Sequence, residues 1–324
     1  MGEILRQNLV SPVALAFALG VLAKVVRSEF QLPKEIYVGL SIYLLWAIGL
    51  HGGIELAHSS FDAIAWPAAV TLAVGALTPI TSYVVLRRAG RFSVSDAAGI
   101  AAHYGSVSAV TFIAAQQFVK GVGAEAEGFM PTLLTLLESP GIHIALAIGA
   151  IKTGAQGRPV RETLHEVLTA RTMVLLVGGL VVGFLMGEKN WAGIEPFYDT
   201  KSAVFKGALC IFLLEMGVVA GARLGDLKKV GPFLLGFGVL MPLVHGALGV
   251  WGGTLAGLSP GGATVLGTMA ASASYIAAPP AVRVTLPEAN PTFSLTASLA
   301  ITFPFNLLIG IPVYYRLALL AAGQ

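Results

Sequence analysis

The chain has 324 residues, 56% of them hydrophobic and 11% charged, with a formal net charge of +3 and a mean hydropathy of +0.80. A soluble domain needs about a quarter of its residues charged to cover its surface, so a water-facing exterior is excluded, and disorder with it. One cysteine, glycines without a triplet period, and no dense Lys and Arg run interleaved with aromatics exclude disulfide-rich, collagen-like and nucleic-acid-binding chains.

Lipid is the remaining solvent. A helix crosses the hydrocarbon layer in about 20 residues, and ten segments of this chain fit. The amino terminus, MGEILRQNLV, lacks a basic leader with a small-residue cleavage site, so the first apolar run, residues 9–26, is expected to stay as a span. The second and third lie at 36–57 and 63–87. The fourth, at 97–119, reads GIAAHYGSVSAVTF from Gly99 to Phe112, poor in Leu and rich in small residues. The fifth, at 131–152, carries Glu138 shortly before Pro140 and His143, a candidate to bound a cavity. The sixth lies at 170–187. The seventh, at 202–221, holds Cys210 as a packing residue and Glu215 in an apolar run, where Lys206 or His245 is the expected partner. The eighth covers 230–257. The ninth, at 261–283, reads GTMAASASYIAAPP from Gly267 to Pro280, and the tenth covers 292–319.

Basic residues concentrate in cytoplasmic loops. With ten spans, fourteen of the twenty, from Lys24 to Arg283, fall on one side, whereas Arg6, Lys120, Lys189, Lys201, Lys206 and Arg316 fall on the other. Both termini are therefore expected on the outer side of a cytoplasmic membrane.

An offset of 168 places Gly49, Gly53 and Leu56 on Gly217, Gly221 and Leu224, and Gly99, Ala102 and Ser106 on Gly267, Ala270 and Ser274. Each half then has five spans, and an odd number inverts the second half, as in many secondary transporters. The fold expected is an all-α membrane protein of two inverted five-helix repeats, residues 1–160 and 161–324, with discontinuous helices four and nine crossing at mid-membrane. Pro279 and Pro280 have no N–H to offer Tyr275 and Ile276, so both carbonyls lose helical partners. Bare carbonyls suit a hard cation and half-helix N-termini a small anion. The hydroxyls of Ser106, Ser108, Thr111, Ser272 and Ser274 could ligate either. The competing reading is that small residues merely let helices pack closely.

No Asp or Glu lies between Asp96 and Glu125 or between Asp226 and Glu288. The crossing therefore reads as neutral, which fits joint binding of one cation and one anion rather than proton antiport. His103, beside it, is a cavity-lining candidate or a hydrogen-bonded packing residue. His165 and Glu166 are followed by Val-Leu-Thr, an incomplete zinc motif, and no nucleotide-binding or nucleophile motif occurs. No enzyme is expected.

These residues resemble the sodium-dependent bicarbonate permeases over nearly the whole chain: GxxGG at Gly49 to Gly53, GSVSAVT at Gly105 to Thr111, Ala270 through AAPP at Ala277 to Pro280, Arg283, and PEANP at Pro287 to Pro291. The resemblance implies an elevator-type importer of bicarbonate with sodium, with no other cofactor. It further implies a homotrimer, a gate domain of spans 1, 2, 6 and 7, and a core of spans 3–5 and 8–10. Its site would comprise Gly105, Ser106, Ser108, Thr111, Ser272, Ser274, Tyr275 and Ile276 beside the helix-breaking Pro279 and Pro280, with candidate sodium ligands at Ser108, Thr111, Ser274, Tyr275 and Ile276. The cyanobacterial motif has aspartate at Tyr275, serine and glycine at Ala277 and Ala278, alanine at Ser106 and serine at Val110. A PII-like regulatory protein is known as a partner in the family, but the loop between spans five and six, about 153–169, is short here. Other readings are transport of another small monovalent anion, a passive anion channel, and a membrane-embedded sensor.

Overall fold

A computed structural model of the chain describes residues 2–153, 165 and 168–323. Among these residues every regular element is helical. A short amino-terminal helix, α1 (Gly2–Leu9), is bent by 61° from α2 (Pro12–Val25). The bend falls at Ser11 and Pro12: the Ser11 hydroxyl accepts the Ala14 N–H at 3.2 Å, and proline needs no partner in a first turn. Then follow α3 (Lys34–His58), α4 (Phe61–Arg88), α5 (Val94–Tyr104), α6 (Ala109–Gly121), α7 (Met130–Glu138) and α8 (Pro140–Thr153). The rest comprises α9 (Arg171–Tyr198), α10 (Ala203–Arg223), α11 (Leu227–Leu255), α12 (Pro260–Ala270), α13 (Ala278–Thr285) and α14 (Pro291–Ala321). Most of the loop expected at 153–169 lies outside the described residues, as do the boundary at residue 160 and the side chains of Arg158, Arg161 and Glu166.

Among the described residues seven helical runs are long and apolar enough to cross a membrane, or eight if α1 and α2 form one span. The ten-segment expectation differs for identifiable reasons. α2 has 14 residues, and α12 and α13 have 11 and 8. α10 and α11 follow one another through the tight turn Leu224–Asp226 as one run of 53 residues, more than twice what a single crossing needs. The sixth segment ends where expected only in a sense: Gly187 takes φ 73°, a value open to glycine, and the helix then continues to Tyr198. In α14 two stretches, Thr296–Thr302 and Asn306–Gly310, are wound as wider π-helix.

Two close helix pairs frame one side of the molecule, α2 against α10 and α3 against α9. Both cross at glycines. A Cβ on Gly217 would lie 2.1 Å from the Phe17 carbonyl oxygen, and one on Gly179 would lie 2.7 Å from the Gly49 Cα. Their outer faces stay apolar, with Leu15, Leu19 and Leu22 on α2 and Val174, Val181 and Leu185 on α9 exposed. Such a stripe is at home against lipid. On the other side α4 packs on α5 and α8, and α11 packs on α12 and α14.

Candidate functional site

Between α5 and α6 the chain leaves the helix at Gly105–Ser108, and between α12 and α13 at Ala271–Ala277. The same cap chemistry builds both regions. Ser93 and Ser259 precede α5 and α12 with identical backbone angles, φ −57° and ψ 162°, and each hydroxyl accepts the N–H three residues on, at 3.0 Å. Beyond the breaks, Ser108 accepts from Thr111 at 3.3 Å and Ser274 from Ala277 at 3.2 Å. These caps align the two regions at an offset of 166, pairing Ser106 with Ser272 and Ser108 with Ser274. The offset of 168 read from the sequence is two too large here, because matches among abundant small residues fix a register less firmly than caps do.

The two unwound stretches touch. The Ser274 N–H donates to the His103 carbonyl at 2.8 Å, and the Ser108 N–H donates to Ser272 Oγ at 2.9 Å, which itself donates to the Met269 carbonyl at 2.8 Å. From α14, Asn306 donates to the Ala271 carbonyl at 2.8 Å and accepts the Tyr314 hydroxyl at 2.8 Å. From α7, the terminal carbonyl of Glu138 accepts the Ser106 hydroxyl at 3.0 Å. Close approach of α8 is possible because residue 141 is glycine: a Cβ there would lie 1.9 Å from the Gly105 carbonyl oxygen. Two helix C-termini, at Tyr104 and Ala270, and two N-termini, at Ala109 and Ala278, thus converge, placing both signs of partial charge in one small region.

A small cavity opens at this junction. Ser108, Ser274, Tyr275 and Ile276 line it, as do Ser41 and Leu44 of α3, Thr172 of α9, Phe212 of α10 and Glu138 of α7. Gly105, Ser106, Thr111 and Ser272 do not line it: Gly105 packs on Gly141, and the three hydroxyl residues are buried in or beside the hydrogen bonds that shape the crossing. Pro279 and Pro280 occupy the first turn of α13, where a missing N–H costs nothing. They open a helix rather than interrupt one, and unwinding begins earlier, at Ala271.

The neutral crossing expected from the sequence is corrected by Glu138. Its side chain is 2% exposed, and its carboxylate oxygen Oε2 has no hydrogen-bond partner. The acid enters from α7, the fifth segment, where it was a candidate to bound a cavity, and not from spans four or nine. Ser41 and Thr172 went unnoticed, because isolated hydroxyls in apolar spans carry no sequence signal. Glu215 looked equivalent to Glu138 but accepts the Leu32 N–H at 2.9 Å, and neither Lys206 nor His245 is its partner. His245 meets Thr81 at 2.8 Å, and His103 Nδ1 meets the Gly99 carbonyl at 2.8 Å, the arrangement of a packing residue.

A second, polar cavity lies at the far end of α6, lined by His51, Glu55, Lys120, Glu127 and Lys201 among others. There Gln117 ties α6 to the Thr200 carbonyl at 2.9 Å.

A family model described as the Na+-dependent bicarbonate transporter superfamily matches residues 12–319. No curated protein matches the chain.

Proposed function

The chain belongs to the Na+-dependent bicarbonate transporter superfamily, and we propose on that footing that it is a secondary active transporter importing bicarbonate with sodium by elevator-type alternating access. The observation that carries the reading is the hydrogen-bonded contact of two unwound stretches beside a cavity. Irregular backbone at membrane depth is tolerated only against protein or a wet cavity, and secondary transporters place substrate sites at such breaks. Ser108, Ser274, Tyr275 and Ile276 are the residues that would face substrate and ion. Gly105, Ser106, Thr111 and Ser272 would hold the breaks in shape.

Ten spans in two inverted repeats belong to this proposal. The 53-residue run supplies two crossings at the tight turn before Asp226, α12 with α13 supplies a broken ninth, and α5 with α6 a broken fourth. The glycine crossings support the inversion: spans one and seven meet at Gly20 and Gly217, and spans six and two at Gly179 and Gly49, the corresponding pair. The same pairs would form the gate domain, with spans 3–5 and 8–10 as the moving core. A homotrimer in a bacterial inner membrane, both termini outside, with a PII-like regulator as partner, completes the reading. One sodium per bicarbonate would move no net charge, and each further sodium would add about 2.3 kcal/mol per 100 mV.

The test is uptake of labelled bicarbonate into proteoliposomes with and without an inward sodium gradient, competed by acetate, formate and sulfate. Saturable, gradient-dependent uptake that bicarbonate alone competes supports the proposal. Flux that neither saturates nor needs sodium identifies a channel, and competition by another anion reassigns the substrate.

A further inference from the structure

Three buried polar atoms in one cavity lack hydrogen-bond partners: Glu138 Oε2, the Tyr275 hydroxyl and Thr172 Oγ1. Thr172 lies beside the Glu138 carboxyl and Tyr275 beside Ser108, but neither pair meets hydrogen-bond geometry. Buried polar groups in native proteins are satisfied, and clustered exceptions mark a missing water or ion. Their chemistry is one-sided. All three are oxygens, the donor set of a hard cation, and no Lys, Arg or His lines the cavity among the described residues.

Glu138 sharpens the assignment. It is the last residue of α7, so its carboxylate sits at the negative end of a helix. An ionised carboxylate held there without a partner is strongly disfavoured inside a membrane protein. A bound cation removes the penalty and keeps the acid ionised, and no cationic side chain lines the cavity among the described residues to do the same.

We propose that Glu138 is a ligand of the coupling sodium ion, with the Tyr275 and Thr172 hydroxyls beside it, and that this site fills before the anion arrives. The inference rests on the sodium-coupled reading and adds an order of binding. A site of hydroxyls alone would hold sodium and bicarbonate only together, each cancelling the other's charge. With Glu138 present, sodium meets a carboxylate that cancels its charge without the anion, whereas bicarbonate entering the empty cavity meets no cation.

Thermal unfolding of the purified full chain in detergent, in bicarbonate-free buffer, separates these cases. Sodium chloride should raise the midpoint relative to choline chloride, because a ligand that binds only the folded state stabilises it. Bicarbonate in choline buffer should not. Glu138→Gln should lose the bicarbonate-free sodium response, shifting its half-saturation at least tenfold, and Glu138→Asp should regain part of it. Absence of a sodium response in the parent chain without bicarbonate, or its full retention in Glu138→Gln, overturns the inference. Should Glu138→Gln fail to fold, Glu138→Asp decides: sodium half-saturation identical to the parent overturns the assignment, and a weakened one upholds it. Uptake by the parent chain is measured in parallel. Sodium-independent uptake there defeats the sodium-coupled reading itself, whereas sodium-dependent uptake with an unaltered Glu138 variant defeats only the assignment of Glu138.

Discussion

Asn306→Leu removes a buried amide that serves two partners while nearly preserving volume. The Ala271 carbonyl and the Tyr314 hydroxyl, each 2.8 Å from Asn306, would both lose that hydrogen bond in a site with no exposed surface. An unsatisfied buried group costs about 1–3 kcal/mol, so the variant should be less stable by about 2–6 kcal/mol. Tyr314→Phe removes one hydroxyl and leaves one amide oxygen unpaired, for about 1–2 kcal/mol. The two costs should not add. In Asn306→Leu with Tyr314→Phe the orphaned hydroxyl is gone, so the double variant should be no less stable than Asn306→Leu alone. Denaturant unfolding in detergent of all three variants gives the cycle, and labelled uptake should show a raised sodium half-saturation for Asn306→Leu, because Ala271 is where unwinding begins. Asn306→Leu within about 0.5 kcal/mol of the parent, or strictly additive costs, would refute the reasoning.

Gly141→Ala should cost about 1–3 kcal/mol or more and depress uptake, since its Cβ meets only the backbone of Gly105; a stable, active variant would show that α8 can move away freely. Ser274→Leu should leave the protein folded and abolish uptake by filling the cavity it lines, and unchanged transport would place the substrate elsewhere. Glu215→Ala should cost about 1–3 kcal/mol by freeing the Leu32 N–H while keeping the sodium half-saturation of the parent, as measured by uptake; a shifted half-saturation would mean that Glu215 also meets the ion.

Hydropathy and small-residue patterning made most helix bounds legible to within about three residues, because length and apolarity decide what lipid accepts. α1 and the continuation of α9 past Gly187 were not, since both are polar enough to escape a hydropathy reading. Where the chain leaves the helix was signalled by the small-residue stretches of spans four and nine and by Pro279 with Pro280, although the prolines mark where winding resumes, not where it stops. Two features were only partly legible, although Glu138 was already a candidate to bound a cavity. Glu138 and Glu215 are alike as acids in apolar runs, and what separates them is a backbone N–H contributed from residue 32, a distance of 183 positions along the chain. The register that pairs the two cap-flanked regions stayed hidden too, because Gly, Ala and Ser matches tolerate a slip of two that the Ser93 and Ser259 caps do not.

The wide winding of α14 bears on which insertions and deletions its descendants can tolerate. A π-type turn holds a residue more than the α-turn it replaces, and Asn306–Gly310 lies between the amide that grips Ala271 and the phenol that grips that amide. Deleting one residue from this stretch would let the helix tighten without a gap, yet would swing Tyr314 about 100° around the axis. Length variation in this segment should therefore be absent from functional relatives.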